Sequence, residues 1–429
     1  MATASIPSSA TDRLLPVALL VSLPRSASSA WVGIAGIVVA LTAIALLQSW
    51  LQPSWVKTLT VLGVVAAAMI TADAIVHYWR GEAWGLIGTP VRALDPVRTG
   101  QKLVGLWLTI GTLALVYTLV PIYVDASSTP FKDAALACLP ALLASSPFYI
   151  AYVDRRQAEP NDAYVQLCAL LAGTLPKDWT VLRQHALGWA VKGFFLPLMF
   201  GYVVADLSRL WAGPLVPRLD SFEIVFGRLI DLFYLLDVML AALTYALTLR
   251  LLDTHMRSVE PSLAGWVVCL MCYPPFNSVT GKFLPYDQDQ LYWGKVFAAT
   301  PVLYVVWGSA ILVLVGIYMW STAAFGLRFS NLTHRGVITN GPYRWSKHPA
   351  YICKNLSWWL ISVPFIAGAG WMQAVQSCVL LGGVNLIYFL RARTEERHMG
   401  RDPVYRDYAR YIAREGLLAR LRGARPKNG

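Results

Sequence analysis

Val302-Leu-Tyr-Val-Val-Trp-Gly-Ser-Ala-Ile-Leu-Val-Leu-Val-Gly-Ile-Tyr-Met-Trp-Ser-Thr-Ala-Ala-Phe325 contains no aspartate, glutamate, lysine or arginine. An uninterrupted apolar run of about 20 residues is what a helix needs to cross a ~30 Å hydrocarbon core. The run is one of several. Of the 429 residues, 56% are hydrophobic and only 14% are charged, where a soluble domain carries about a quarter charged residues. Mean hydropathy is +0.51. A β-barrel would show short alternating segments instead of long continuous ones. The sequence therefore reads as an all-α, polytopic integral membrane helical bundle.

Working outward from that run, about ten transmembrane helices are expected, at 30–51, 56–79, 102–124, 133–153, 189–212, 224–249, 261–280, 297–325, 350–369 and 371–390. The apolar stretch 163–174 is too short to cross and is expected to be an interfacial helix. With both termini cytoplasmic, most of the 36 basic residues fall in cytoplasmic loops. These include Arg80, Arg92, Arg98 and Lys102, Arg328, Arg335, Arg344 and Lys347, and the run from Arg391 to Lys427. Such asymmetry sets orientation in helical membrane proteins. It also explains the net charge of +12 and the pI near 9.4 without nucleic acid. The first 29 residues form a leader with one short run, Leu14 to Leu23, broken by Pro16, which is no convincing cleavable signal. The expected divisions are the leader 1–29, transmembrane helices over 30–296, a catalytic module over 297–414 and a basic tail over 415–429.

Charges at membrane depth default to functional candidates. Here they are Asp73, Lys192, Asp206, Arg228, Asp231, Asp237 and Lys354. Arg228 and Asp231, three apart on one helix, read as a structural ion pair, and His77 reads as an interface residue. Lys354 stands one turn after Tyr351 and can face the same cavity as that tyrosine. Cys269-Leu-Met-Cys272 has redox spacing, but in an apolar run without a second pair the cysteines act as small hydrophobes. No metal site, dinucleotide fingerprint or metalloprotease helix is present.

Two polar blocks remain. Gly341-Pro-Tyr-Arg-Trp-Ser-Lys-His-Pro-Ala-Tyr351 lies between apolar segments, and Arg391-Ala-Arg-Thr-Glu-Glu396 follows the last one. A helical hairpin between them returns Tyr343, His348 and Tyr351 to the side of Arg391, Glu395 and Glu396, at the cytoplasmic face. Pro349 suits the first turn of a helix, so a helix starting at His348 presents free N–H groups, an anion site. Tyr388, Arg391 and Glu395 share one helix face. The arrangement suits a zwitterion with an amino acid end and a ribose, such as S-adenosylmethionine. The plain alternative is an interfacial belt of Tyr, Trp, His and Arg. The Arg-rich tail, with Tyr405, Tyr408 and Tyr411 at helical spacing, suits a helix on anionic headgroups that also roofs the site.

Residues 326–411 resemble the isoprenylcysteine carboxyl methyltransferase / phospholipid N-methyltransferase superfamily. The matching text is Gly341-Pro-Tyr-Arg, Lys347-His-Pro-Ala-Tyr351, Arg391 with Glu395-Glu396, then Tyr405 and Tyr408. Departures are Lys347 for arginine, Cys353 for glycine and Asp402-Pro403 for Phe-Gly. The resemblance implies an S-adenosylmethionine pocket touching Tyr343, His348, Pro349, Tyr351, Glu395 and Glu396. It puts Arg391 beside the methyl acceptor and gives Glu395 a catalytic role. The implied activity is methyl transfer to a lipophilic acceptor from the bilayer: a carboxylate, thiol or amine of an isoprenoid or lipid. The implied setting is a multi-pass protein of a bacterial inner membrane, with membrane lipids as partners. Two other classes remain open on the sequence. An NADPH-dependent sterol- or enone-type reductase has a similar span count, although adjacent carboxylates repel a phosphorylated dinucleotide. The other is a non-catalytic transporter or scaffold.

The charge asymmetry is directly testable. Reporters fused after Gly429 or inserted within 85–98 are expected to read cytoplasmic, and one at 283–290 external; any reversal removes the common-face argument.

Overall fold

The computed structural model describes residues 22–123, 128–173, 178–213, 221–287, 291–366, 368 and 370–423. Most of the run Leu14 to Leu23, both chain ends and the end of the basic tail lie outside the described residues. The chain is helical, with α1 (Ala30–Leu46), α2 (Ser54–Arg80), α3 (Pro96–Leu119), α4 (Thr129–Asp154), α5 (Ala163–Ala172), α6 (Trp179–Trp211) and α7 (Phe222–Ala246) in its first part. It continues with α8 (Leu263–Leu270), α9 (Asn277–Phe283), α10 (Trp293–Val296), α11 (Pro301–Ala323), α12 (Pro349–Ser362), α13 (Trp371–Met399), α14 (Pro403–Glu415) and α15 (Leu417–Leu421). Among the described residues six helices, α2, α3, α4, α6, α11 and α13, are long and apolar enough to cross a membrane. An all-α membrane bundle follows.

Two expected spans take a different form. The stretch 261–280 is not one helix but the 8-residue α8 and the 7-residue α9. Pro274 and Pro275 separate them, and consecutive prolines cannot continue a helical hydrogen-bond ladder. The chain on either side of the broken stretch meets both ends of α11. Glu260 N donates to Leu332 O beyond the α11 C-terminus, while the Trp293 ring packs tilted against Tyr304 near its start. Non-helical backbone at such depth is tolerated where protein covers it or a cavity lies beside it. Likewise α12 is only 14 residues, about 21 Å long, ending at Val363 (φ 39°) ahead of Pro364. The expected interfacial segment is the 10-residue α5, laid against α3.

The core joins α1, α2, α6 and α7 around Val61, Met69, Phe195, Val203, Met239 and Tyr245. Helix α1 crosses α11 so closely that a Cβ on Gly33 would meet Ala323 O at 2.1 Å; only glycine permits that approach. Ion pairs do not always form as the spacing suggests. Asp231 reaches Arg209 of α6 at 3.9 Å instead of its helix neighbour Arg228, because the facing helix offers the guanidinium. His77 is no interface residue: it is 8% exposed, with Nδ1 against Asp73 O at 2.8 Å. Lys102, Arg98 and Asp154 form a buried network with Asp162.

Where α7 and α11 end, the loops are tied by Arg335, 2% exposed. Its guanidinium donates to Thr254 O (2.7 Å), Thr244 O (3.1 Å), Phe329 O (2.7 Å) and Leu327 O (2.9 Å). Burial, with Arg328 nearby, brings its pKa down to about 9. Arg328 beside it binds Asp253 and Arg335 O. A two-residue antiparallel ladder pairs β1 (Ser258–Val259) with β2 (Thr333–His334), Ser258 opposite His334.

The segment before α1 straps across this layer. Ala27 N donates to Val337 O (2.9 Å), Thr339 Oγ1 to Pro24 O (2.8 Å), and Asn340 Nδ2 to Ser28 O (2.7 Å) and Ser26 Oγ (3.0 Å).

Arg335→Lys keeps one charge but cannot reach four carbonyls. Stranding two or more of them is expected to cost about 3 kcal/mol, read as lower resistance to heat or to SDS unfolding; parental resistance contradicts this role.

Candidate active site

The site is built at the start of α12. Gly341 adopts φ 55°, a left-handed conformation that glycine takes without Cβ strain, and turns the chain into a single 3-10 turn through Arg344. Tyr343 is thereby buried, its ring edge-on to Phe325 at 5.2 Å. Pro349 opens α12 at its first turn, and His348 caps it without any side-chain hydrogen bond to the helix start. The first N–H groups of α12 are thus left without a side-chain partner.

Opposite stands the last part of α13. Tyr351 Oη donates a hydrogen bond to Glu395 Oε1. Arg391 Nε donates to the same oxygen at 3.2 Å. Arg391, 3% exposed, also donates to Asn331 Oδ1 at 2.7 Å, and Asn331 Nδ2 donates to Tyr273 Oη at 3.0 Å. Its guanidinium sits 5.0 Å from the Tyr351 ring and 5.5 Å from the Tyr273 ring. His348 stacks parallel to Tyr351 at 5.5 Å and reaches Glu396 Oε1 at 3.1 Å. Glu396 also binds Lys347 and Arg393. Charge-assisted hydrogen bonds of this kind are about twice as strong as neutral ones, so they hold the start of α12 and the end of α13 together.

Deeper in, Asn385 Nδ2 donates to Asn355 Oδ1 (2.7 Å), and Asn385 Oδ1 accepts from Trp359 Nε1 (2.7 Å). Above, α14 closes the roof. Tyr408, 2% exposed, donates to Tyr343 O at 2.7 Å and Ser346 O at 3.1 Å. Burial raises the Tyr408 pKa, with Tyr405 adding to the effect, so the hydroxyl remains a donor.

These residues enclose a cavity of about 160 Å³. Tyr343, His348, Tyr351, Arg391 and Glu395 line it, together with Lys354 and Tyr388. Pro349 and Glu396 stand just outside: Pro349 starts the helix, and Glu396 holds His348 and Lys347 from behind. Sequence reasoning missed one whole wall, formed by Glu260, Gly265, Cys269, Tyr273, Tyr318 and Asn331. Part of that wall precedes residue 297, so the site draws on the helices assigned to the N-terminal region. Its only sequence signal was the proline pair after Tyr273, which breaks the span and lets it line a cavity. Among the described residues no group of three or more His, Cys, Asp or Glu side chains could hold a metal ion.

Residues 302–401 match the isoprenylcysteine carboxyl methyltransferase (ICMT) family. The match covers α11 from its second residue, and all of α12 and α13. The chain matches no curated protein and no solved structure.

Tyr408→Phe removes the donor that pins the turn before α12. A loss of about 1 kcal/mol is expected, with faster amide exchange over residues 343–348 than in the parent. Unchanged exchange there excludes the roof role.

Proposed function

We propose that the protein is an S-adenosylmethionine-dependent methyltransferase that modifies a lipophilic acceptor drawn from the bilayer of a bacterial inner membrane, with its active site on the cytoplasmic side. The observation that carries this reading is the joining of the two polar blocks around one cavity: Tyr351 and Arg391 on the same oxygen of Glu395, and His348 on Glu396. An interfacial belt needs no such convergence.

The residues fit the cofactor. An α12 start without a side-chain cap, with Ala350 and Tyr351 on the cavity, offers N–H groups to a carboxylate. The stacked rings of His348 and Tyr351 give a flat wall, and Glu395 offers a carboxylate to an amino group. When bound, S-adenosylmethionine supplies a methyl group already activated by its positively charged sulfur. The protein then has to align the acceptor and keep water away. Tyr408 and α14 cover the site, and Arg391 fixes Glu395. A carboxylate or thiolate acceptor needs no base, and a dry site favours the cancellation of opposite charges. An amine acceptor must lose a proton, and Glu395 is the residue placed to accept it. The reductase reading gains nothing from the family match.

Incubating purified protein with methyl-labelled S-adenosylmethionine and total membrane lipid, then locating the label, identifies the acceptor fraction. Glu395→Gln and Glu396→Gln are each expected to weaken S-adenosylmethionine binding about 10-fold, from the loss of charged hydrogen bonds; Glu396 acts through His348. Arg391→Lys loses the planar fork and is expected to lower turnover more than cofactor affinity. Parental binding and turnover in all three variants rule the assignment out.

A further inference from the structure

Lys354 is the cavity charge that the methyltransferase reading leaves unused. The other charged side chains around the cavity have polar partners. Glu395 has Tyr351 and Arg391, Arg391 also has Asn331, and Lys347 has Glu396. Glu260 accepts from Ser262 N at 2.8 Å, and Arg328 and Arg335 are bound to loop carbonyls. Lys354 forms no ion pair within 4.0 Å among the described residues. Its ammonium instead faces three rings, at 5.3 Å from Tyr318, 5.5 Å from Trp358 and 5.8 Å from Tyr388. Asp237 of α7 interacts with it electrostatically but gives its own two oxygens to Tyr318 and Thr322.

Position narrows the role. Lys354 lies three residues beyond Tyr351 on α12, about 4.5 Å further along the helix axis. It is therefore on the membrane-ward side of the proposed cofactor contacts. Aromatic faces attract a cation but do not neutralise it, and an uncompensated charge at membrane depth is costly. Such a cation is matched when an anion arrives with its ligand.

We infer that Lys354 is the specificity-determining cation of the acceptor site: it receives an oxyanion, carboxylate or phosphate, on a lipophilic acceptor whose apolar part lies against Tyr318, Trp358 and Tyr388. The inference rests on the methyltransferase reading, because it treats the occupant as the methyl acceptor. It concerns ground-state binding and adds no chemical step.

The test uses the full-length protein in phosphatidylcholine nanodiscs. Retention of radiolabelled dodecanoate, dodecyl phosphate and dodecanol is measured after subtraction of empty nanodiscs, with S-adenosylmethionine affinity measured on the same samples. The parent is expected to hold at least one of the two anions about 10-fold more tightly than dodecanol, the scale of a charged hydrogen bond. The anion that is preferred separates a carboxylate from a phosphate acceptor. Lys354→Met is expected to abolish the preference and Lys354→Arg to keep it, both with parental cofactor affinity, which also certifies their folding. Equal retention of all three probes by the parent, or an anion preference that survives in Lys354→Met, overturns the inference and leaves the methyltransferase reading standing. Absence of S-adenosylmethionine binding in the parent removes that reading instead, whatever the probes do.

Discussion

The layer of loops around β1 and β2 depends on one buried guanidinium. Arg335 has no carboxylate partner among the described residues; it binds four backbone carbonyls, from the end of α7, the loop after it and the loop after α11. These carbonyls are ones that helices and turns leave unpaired, and burying them unpaired is expensive. A planar group with five donors can serve four carbonyls at once, whereas a lysine ammonium has only three donors. By fixing where α7 and α11 stop, Arg335 fixes residues 329–345, and these in turn set the approach of Tyr343 and His348. The segment that matches the family is therefore held by helices that precede it.

The same dependence shows in the cavity. The family segment supplies Tyr351, Arg391 and Glu395, while Tyr273 and Glu260 come from residues outside it. Asn331 links the two, accepting from Arg391 and donating to Tyr273. A linked set of this sort is rigid when every member is satisfied. The matched segment and the residues before it thus meet at a single asparagine side chain.

Much of this was legible in the sequence where periodicity and charge carry the signal. The spacing of Tyr388, Arg391 and Glu395 put them on one face, and they line one cavity. The return of His348 to Glu396 followed from an apolar hairpin with polar ends. What could not be read were contacts between helices distant in sequence. Asp231 pairs with Arg209 over the nearer Arg228, because the facing helix decides and no local pattern encodes it. Arg335 counted only as one more cytoplasmic positive charge. The span at 261–280 was misjudged for another reason: its hydropathy is that of a crossing helix, and Pro274-Pro275 was the overlooked signal.

The strap formed by residues 24–28 ties the first described part of the chain to Val337, Thr339 and Asn340. Ribosomes make the strap first and its partners more than three hundred residues later. Until residues 337–340 are made, the strap's carbonyls and the serine hydroxyl lack these mates, and a chain that stops before them leaves the strap without an anchor.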